Sequence, residues 1–293
     1  MLPVSDRTLG LWRLFTHGRH VLKLARDVRI RNRLIVSALG RGALRLRSYW
    51  PTRRSTPTPA LIWLHGGGYV MGRPEMNDRW CIRCARTLSM PIVSVDYGLA
   101  PEHPFPEPLE DAYAALRWVH GHADELGIDP GRIAVGGASA GGGLAAALAQ
   151  LAHDRGSIRL ALQLLVYPML DDRTRCPPDL SDAPLAWRPD SNRYGWDAYL
   201  GSGEPSLDPP QYAVPARRED LSGLPPAWIG VGRRDLFHDE CLVYAHRLRR
   251  AGVPVETHII PGAPHAFDVI APRSPQALAC HAAQLAVLRR YLL

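Results

Sequence analysis

The chain has 293 residues, 46% of them hydrophobic, and a formal net charge of +7. That length and composition suit one large globular domain or two small ones, and the absence of low-complexity tracts and internal repeats argues against solenoids and disordered tails. The charge is uneven: residues 1–54 hold twelve arginines and the single lysine, Lys23, against Asp6 and Asp27, so this stretch carries +11 and the remainder −4. Such asymmetry marks a segment suited to an anionic partner or, more plainly, a solvated helix face. No nucleic-acid-binding motif accompanies it, so nucleic acid is not expected as a partner.

Residues 5–26 repeat with helical period and place Leu11, Leu14, Phe15, Val21 and Leu22 on one face, with Arg13, Arg19 and Lys23 elsewhere. A basic amphipathic helix of this kind is a candidate for weak contact with an anionic membrane surface. Arg13 and Arg19 interrupt the apolar run that a secretion signal would need, and no stretch reaches the roughly 18 apolar residues of a membrane span. The expected location is the cytoplasm; an arginine-rich start also fits a mitochondrial transit peptide. Next, Val28, Ile30 and Asn32 alternate with arginines, and Ala43–Tyr49 reads as a second strand, together an antiparallel hairpin.

From Ala60 the rhythm changes. Apolar runs at 60–64, 91–95, 132–136, 161–167, 227–232 and 255–260 read as strands, and helical stretches near 75–88, 108–126, 140–155 and 239–252 separate most of them. A last helix fits 275–291. Near-continuous hydrophobic strands alternating with helices predict an α/β fold with a mostly parallel central sheet flanked by helices. One interval departs from this: residues 170–226 are rich in Pro, Asp, Arg and Ser. An insertion at a strand's carboxyl end lies over the crevice where such sheets bind ligands, so it reads as a cap. Its aromatic residues Trp187, Trp196 and Tyr199 either line a substrate pocket or form a small core of their own.

Five cysteines, an odd number, point to free thiols in a reducing compartment. Cys81 and Cys84 form a CxxC, but on a helix this spacing only places them on one face, and no further ligands stand at zinc spacing. No metal site is expected.

Gly137-Ala138-Ser139-Ala140-Gly141 is a GxSxG between a predicted strand and a predicted helix. A serine on such a strained turn is exposed for attack, while the glycines on either side relieve crowding and the helix start offers free N–H groups. His65-Gly66-Gly67-Gly68 follows an earlier strand, where glycines allow backbone N–H groups to approach a developing oxyanion. A serine nucleophile needs a base and an orienting acid. Among twelve histidines, His265 stands in a Gly/Pro-rich loop directly after the last strand; Asp235 follows the strand before it, and Asp239, four residues on, falls in the next helix and is the weaker candidate. The order Ser, Asp, His is that of the α/β-hydrolase fold.

With these motifs the chain, from about residue 43 onward, resembles the hormone-sensitive lipase family of α/β hydrolases, the bacterial HGGG esterases. HGGGYVMG at 65–72 looks like its oxyanion motif, DYGLAPEHPFPEPLEDA at 96–112 its YRLAPE segment, and GASAGG at 137–142 its GDSAGG. GLPPAWIGVGRRDLFHDE at 223–240 and PHAF at 264–267 are similar to the segments that carry the acid and the base.

The resemblance implies Ser139 as nucleophile, Asp235 as acid, His265 as base, and the N–H groups of Gly67, Gly68 and Ala140 as the oxyanion hole. It further implies a carboxylesterase acting on short- to medium-chain esters without a cofactor, with about eight strands in its sheet. It divides the chain into N-terminal cap helices (1–26), a catalytic core (27–171 and 213–293) and a cap insertion (172–212). Dimers through an edge strand occur in the family, so a homodimer is a candidate assembly.

Two positions depart from the pattern: Ala138 stands where the family carries an acidic residue or threonine, and Gly98 replaces the arginine of YRLAPE. The rival readings are a non-catalytic binding protein on the same fold, which the intact His265 argues against, and an amidase or acyltransferase using the same residues.

Overall fold

A computed structural model describes residues 3–16, 26–40, 42–174, 187–201 and 208–293. Its centre is an eight-stranded sheet. The expected hairpin is β1 (Val28–Val36) and β2 (Ala43–Pro51), paired antiparallel from Val28–Pro51 to Val36–Ala43. The six apolar runs become β3 (Thr58–Leu64), β4 (Ile92–Val95), β5 (Ile128–Ala138), β6 (Leu162–Val166), β7 (Ala227–Arg234) and β8 (Val255–Pro264). The spatial order is β1-β2-β4-β3-β5-β6-β7-β8, antiparallel as far as β4 and parallel beyond it.

Every residue of β3, β4 and β6 is buried, as expected for strands covered on both faces. β1 lies at an edge and is mostly exposed, and Arg29, Arg31 and Arg33 along it discourage pairing with another strand.

The helices fall where periodicity placed them: α2 (Asp78–Leu88), α3 (Glu107–Gly121), α5 (Ala140–Arg155), α7 (His238–Arg250) and α9 (Pro275–Leu292). The stretch expected as one helix to residue 126 breaks after α3 and resumes as the single turn α4 (Ala123–Leu126). Two helices had no clear periodic signal: α6 (Pro189–Leu200) in the insertion, and α8 (Phe267–Ile270) just after His265.

The first helix, α1 (Asp6–Thr16), corrects the expected face. Leu11 and Leu14 are exposed, whereas Leu9 is buried and Trp12 partly so. Arg13 lies on the packed side, donating to the carbonyls of Val70 and Ala100 and, through two N–H groups at 2.7 Å, to Glu102. Loop carbonyls near the core need donors, and a guanidinium supplies several where leucine supplies none. Expectations for the Phe15 side chain, for Arg19, Val21, Leu22 and Lys23, and for the fifth cysteine, at position 176, lie outside the described residues.

Several arginines of the basic N-terminal stretch are consumed internally. Arg47 and Tyr49 both donate to the buried carboxylate of Asp78, tying β2 to α2, and Arg45 pairs with Glu75 and Asp96. Burial acts to raise the Glu75 carboxyl, but Arg45 and Arg73 outweigh it and bring it down to about 2. Cys81 and Cys84 are buried in α2, where burial pushes both thiols up, so they stay protonated and unreactive. Among the described residues no helix is long and apolar enough to cross a membrane.

Candidate active site

The pairing of β7 with β8 ends at Arg234–Pro264, so the next residue of each strand, Asp235 and His265, emerge side by side. The two strand ends approach closely because Gly232 has no side chain; a Cβ there would collide with the carbonyl of Ala263.

His265 Nδ1 lies 2.9 Å from Oδ2 and 3.1 Å from Oδ1 of Asp235. A carboxylate only accepts, so Nδ1 carries the hydrogen and Nε2 is left as an acceptor. Ser139 Oγ stands 2.9 Å from Nε2 and donates to it. Asp235 is completely buried and further held by the N–H of Phe237 at 2.9 Å. Asp239, by contrast, opens α7 with a side chain 74% exposed and pairs with His238, away from His265.

Ser139 joins β5 to α5 with φ 58° and ψ −123°, a backbone that costs a non-glycine residue about 1–3 kcal/mol. The flanking glycines are sterically required: a Cβ on Gly137 would strike the carbonyl of Gly141, and one on Gly141 the carbonyls of Leu64 and His65. Ala138, one of the two departures, pairs with Val166 as an ordinary strand residue.

Leu64 pairs with Gly137, so the HGGG loop leaves β3 alongside the serine turn, and a Cβ on Gly66 would lie 3.3 Å from that of Ser139. Gly67 and Gly68 have φ of +131° and +60°, and Gly67 packs so tightly on Met71 that no Cβ fits. Among the described residues, the N–H groups of Gly67, Gly68 and Ala140 meet no acceptor. Three free donors therefore sit on the two loops beside the serine, two on the HGGG turn and one at the start of α5, where the helix dipole adds partial positive charge.

His65 is completely buried, its ring stacked on Tyr97 at 4.3 Å and its Nδ1 2.9 Å from the Gly66 carbonyl. Burial pushes its pKa down, so it stays neutral and serves to shape the loop.

Above this loop lies α6. Trp187 packs its ring on Gly68, Tyr199 stacks on Tyr69 at 4.0 Å, and Trp196 meets Tyr69 tilted at 54° with ring centres 5.3 Å apart. These aromatics are buried together with Tyr69. The N–H of Val4 donates to Ser191 and the hydroxyl of Tyr194 to Asp6, which fastens α1 to α6.

A family model described as alpha/beta hydrolase fold matches residues 61–269. The chain belongs to the α/β-hydrolase-fold family, in its hormone-sensitive lipase group. This α/β hydrolase is 41% identical over 222 residues to Esterase LipI of Mycobacterium tuberculosis, across 74% of its own length and 68% of the relative's. It is 40% identical over 254 residues to Carboxylesterase NlhH of the same species, across 84% and 78%. A solved bacterial heroin esterase superposes with a TM-score of 0.91 at 38% identity, over 100% of this α/β hydrolase and 95% of that chain.

Some residues of the site carry only a weak signal in the sequence. His65 was visible only as the first letter of HGGG. Tyr167 directly follows β6 and Phe237 lies three residues past β7, close to the position that singled out Asp235, and that rule could have drawn them in; Glu240 lies inside α7, as Asp239 does. Glu240 is buried behind the site; burial pushes its carboxyl well above the usual range, and it accepts from the N–H of Leu170 at 2.6 Å and from the Thr174 hydroxyl.

Proposed function

We propose that this carboxylic ester hydrolase cleaves short- to medium-chain esters through an acyl-enzyme on Ser139. The observation that carries the reading is the line Ser139–His265–Asp235, with contacts of 2.9 Å on both sides of the imidazole. His265 Nε2 takes the Ser139 proton as Oγ attacks the ester carbon. The carbonyl oxygen becomes an oxyanion, stabilised by the N–H groups of Gly67, Gly68 and Ala140. As the C–O bond breaks, the imidazolium returns its proton to the alcohol. Water then attacks the acyl-enzyme, His265 again takes and returns the proton, and the acid leaves. Asp235 holds the tautomer and stabilises the imidazolium.

Segments 1–26 and 172–212 act in this reading as a cap. The packing of α6 on Gly68 and Tyr69, and of α1 on the carbonyls of Val70 and Ala100, supports it.

The test is turnover of a p-nitrophenyl ester series from acetate to palmitate by the parent enzyme and Ser139→Ala. The expected result is turnover on the shorter esters that disappears in the variant. Substantial activity in folded Ser139→Ala would overturn the assignment.

A further inference from the structure

His265 is gripped by two aromatic rings. Tyr167 meets it edge-to-face with centroids 4.8 Å apart and planes at 69°, and Phe237 does so at 5.1 Å and 89°. Phe237 follows Asp235 by two residues, so its place comes with that of the acid. Tyr167 reaches His265 from the far end of β6, and its backbone has φ of +36°, a region unfavourable for a residue with a bulky side chain.

Two hydrogen bonds hold it there. The N–H of Tyr167 donates to Gly230 at 2.6 Å, and its hydroxyl donates to Asp268 Oδ1 at 2.7 Å. Burial, with Asp268 beside it, pushes the phenol well above its ordinary pKa, so the hydroxyl keeps its proton and remains a donor.

Asp268 lies in α8, three residues beyond His265. A closed circuit results: the chain runs from His265 through the left-handed Ala266 (φ +54°) to Asp268, the hydrogen bond leads to Tyr167, and its ring returns to His265. The circuit is anchored from outside. Arg83 Nη1, on α2, is 3.1 Å from Nδ1 of His281, on α9. A guanidinium only donates, so Nδ1 accepts and Nε2 turns its N–H toward Asp268 Oδ2 at 3.4 Å.

An imidazole held only at Nδ1 can still rock about that bond, and Nε2 must serve first Ser139 and then the departing alcohol. Displacements near 1 Å cost up to about a hundredfold in rate. We propose that Tyr167 and Asp268 are positioning residues that fix the plane of the His265 ring during acyl transfer. The proposal rests on the reading of Ser139, His265 and Asp235 given above.

The experiment compares Tyr167→Phe, Asp268→Ala and the double variant with the parent, reading kcat and KM on p-nitrophenyl acetate, labelling of Ser139 by a p-nitrophenyl phosphonate, and the melting temperature. Ser139→Ala and His265→Ala run alongside. Each single variant is expected to lose about tenfold or more in kcat and in labelling rate, with KM nearly unchanged and folding intact. The double variant should be no slower than the slower single, because both changes break one hydrogen bond. Parent-like kcat in the singles, multiplying losses in the double, or losses matched by the unfolded fraction would overturn the proposal. If Tyr167→Phe does not fold, Asp268→Ala decides by the same kcat and labelling criteria. Activity retained in Ser139→Ala or His265→Ala would instead overturn the underlying reading of the site.

Discussion

The buried carboxylate of Asp111 accepts a hydrogen bond from the N–H of Gly98 at 3.0 Å and another from the hydroxyl of Ser37 at 2.7 Å. Gly98 is the position at which the segment 96–112 departs from the YRLAPE pattern it resembles, and α3 anchors this loop by gripping its backbone. Replacing Asp111 by Ala leaves both donors unpaired in the interior, where each costs about 1–3 kcal/mol. Asp111→Ala should therefore lose roughly 2–4 kcal/mol in urea unfolding; a loss below about 0.5 kcal/mol would mean that the contact contributes nothing to holding the loop.

The HGGG turn offers a direct test of the oxyanion donors. A methyl on Gly67 meets the Met71 carbonyl, and its φ of +131° is strained for any L side chain, so Gly67→Ala must shift the loop. The expected outcome is a fall in kcat of about 10²–10³ with KM little changed, the signature of donors that act in the transition state. Full kcat in the folded variant would remove Gly67 from the oxyanion hole.

Glu240 supplies a pH dependence. Its carboxyl lies well above the ordinary value of 4.5, raised first by burial. The folded chain then keeps a proton that the unfolded chain has released, so this residue makes stability fall as pH rises beyond that ordinary value. Glu240→Gln retains an oxygen for the Leu170 N–H and has no proton to lose. Its melting temperature relative to the parent should therefore climb between roughly pH 5 and pH 8. A difference that stays flat or shrinks with pH would show that Glu240 is ionised without penalty.

On α1, Arg7, Leu11 and Leu14 follow the i, i+4, i+7 spacing of one helical face, and all three are exposed. An apolar pair beside the cationic Arg7 suits the surface of an anionic bilayer. Co-sedimentation with phosphatidylglycerol vesicles is expected, with loss in high salt and in Leu11→Asp/Leu14→Asp. Equal binding to phosphatidylcholine vesicles, or binding untouched by the substitutions, would rule out this docking mode.

Much of this protein could be read directly from its residues, because the signals were local. Apolar runs such as Leu61–Leu64 mark strands buried on both faces, and GxSxG between a strand and a helix needs only neighbouring glycines to shape the turn. Asp235 and His265 were reachable because each directly follows a strand, and parallel strands bring such ends to one edge of the sheet.

What the tertiary structure alone decided joins residues distant in the chain. Ser139 and His265 are 126 residues apart, and their 2.9 Å contact depends on the register of four strands. Periodicity could not say which side of α1 faces inward, because leucines occur around the helix, and the outcome turned on carbonyls at Val70 and Ala100 that needed the Arg13 guanidinium. The same holds for Asp111 beneath Gly98 and Asp268 beside Tyr167. A buried polar group must find a partner, but only the packed chain determines which partner lies within reach.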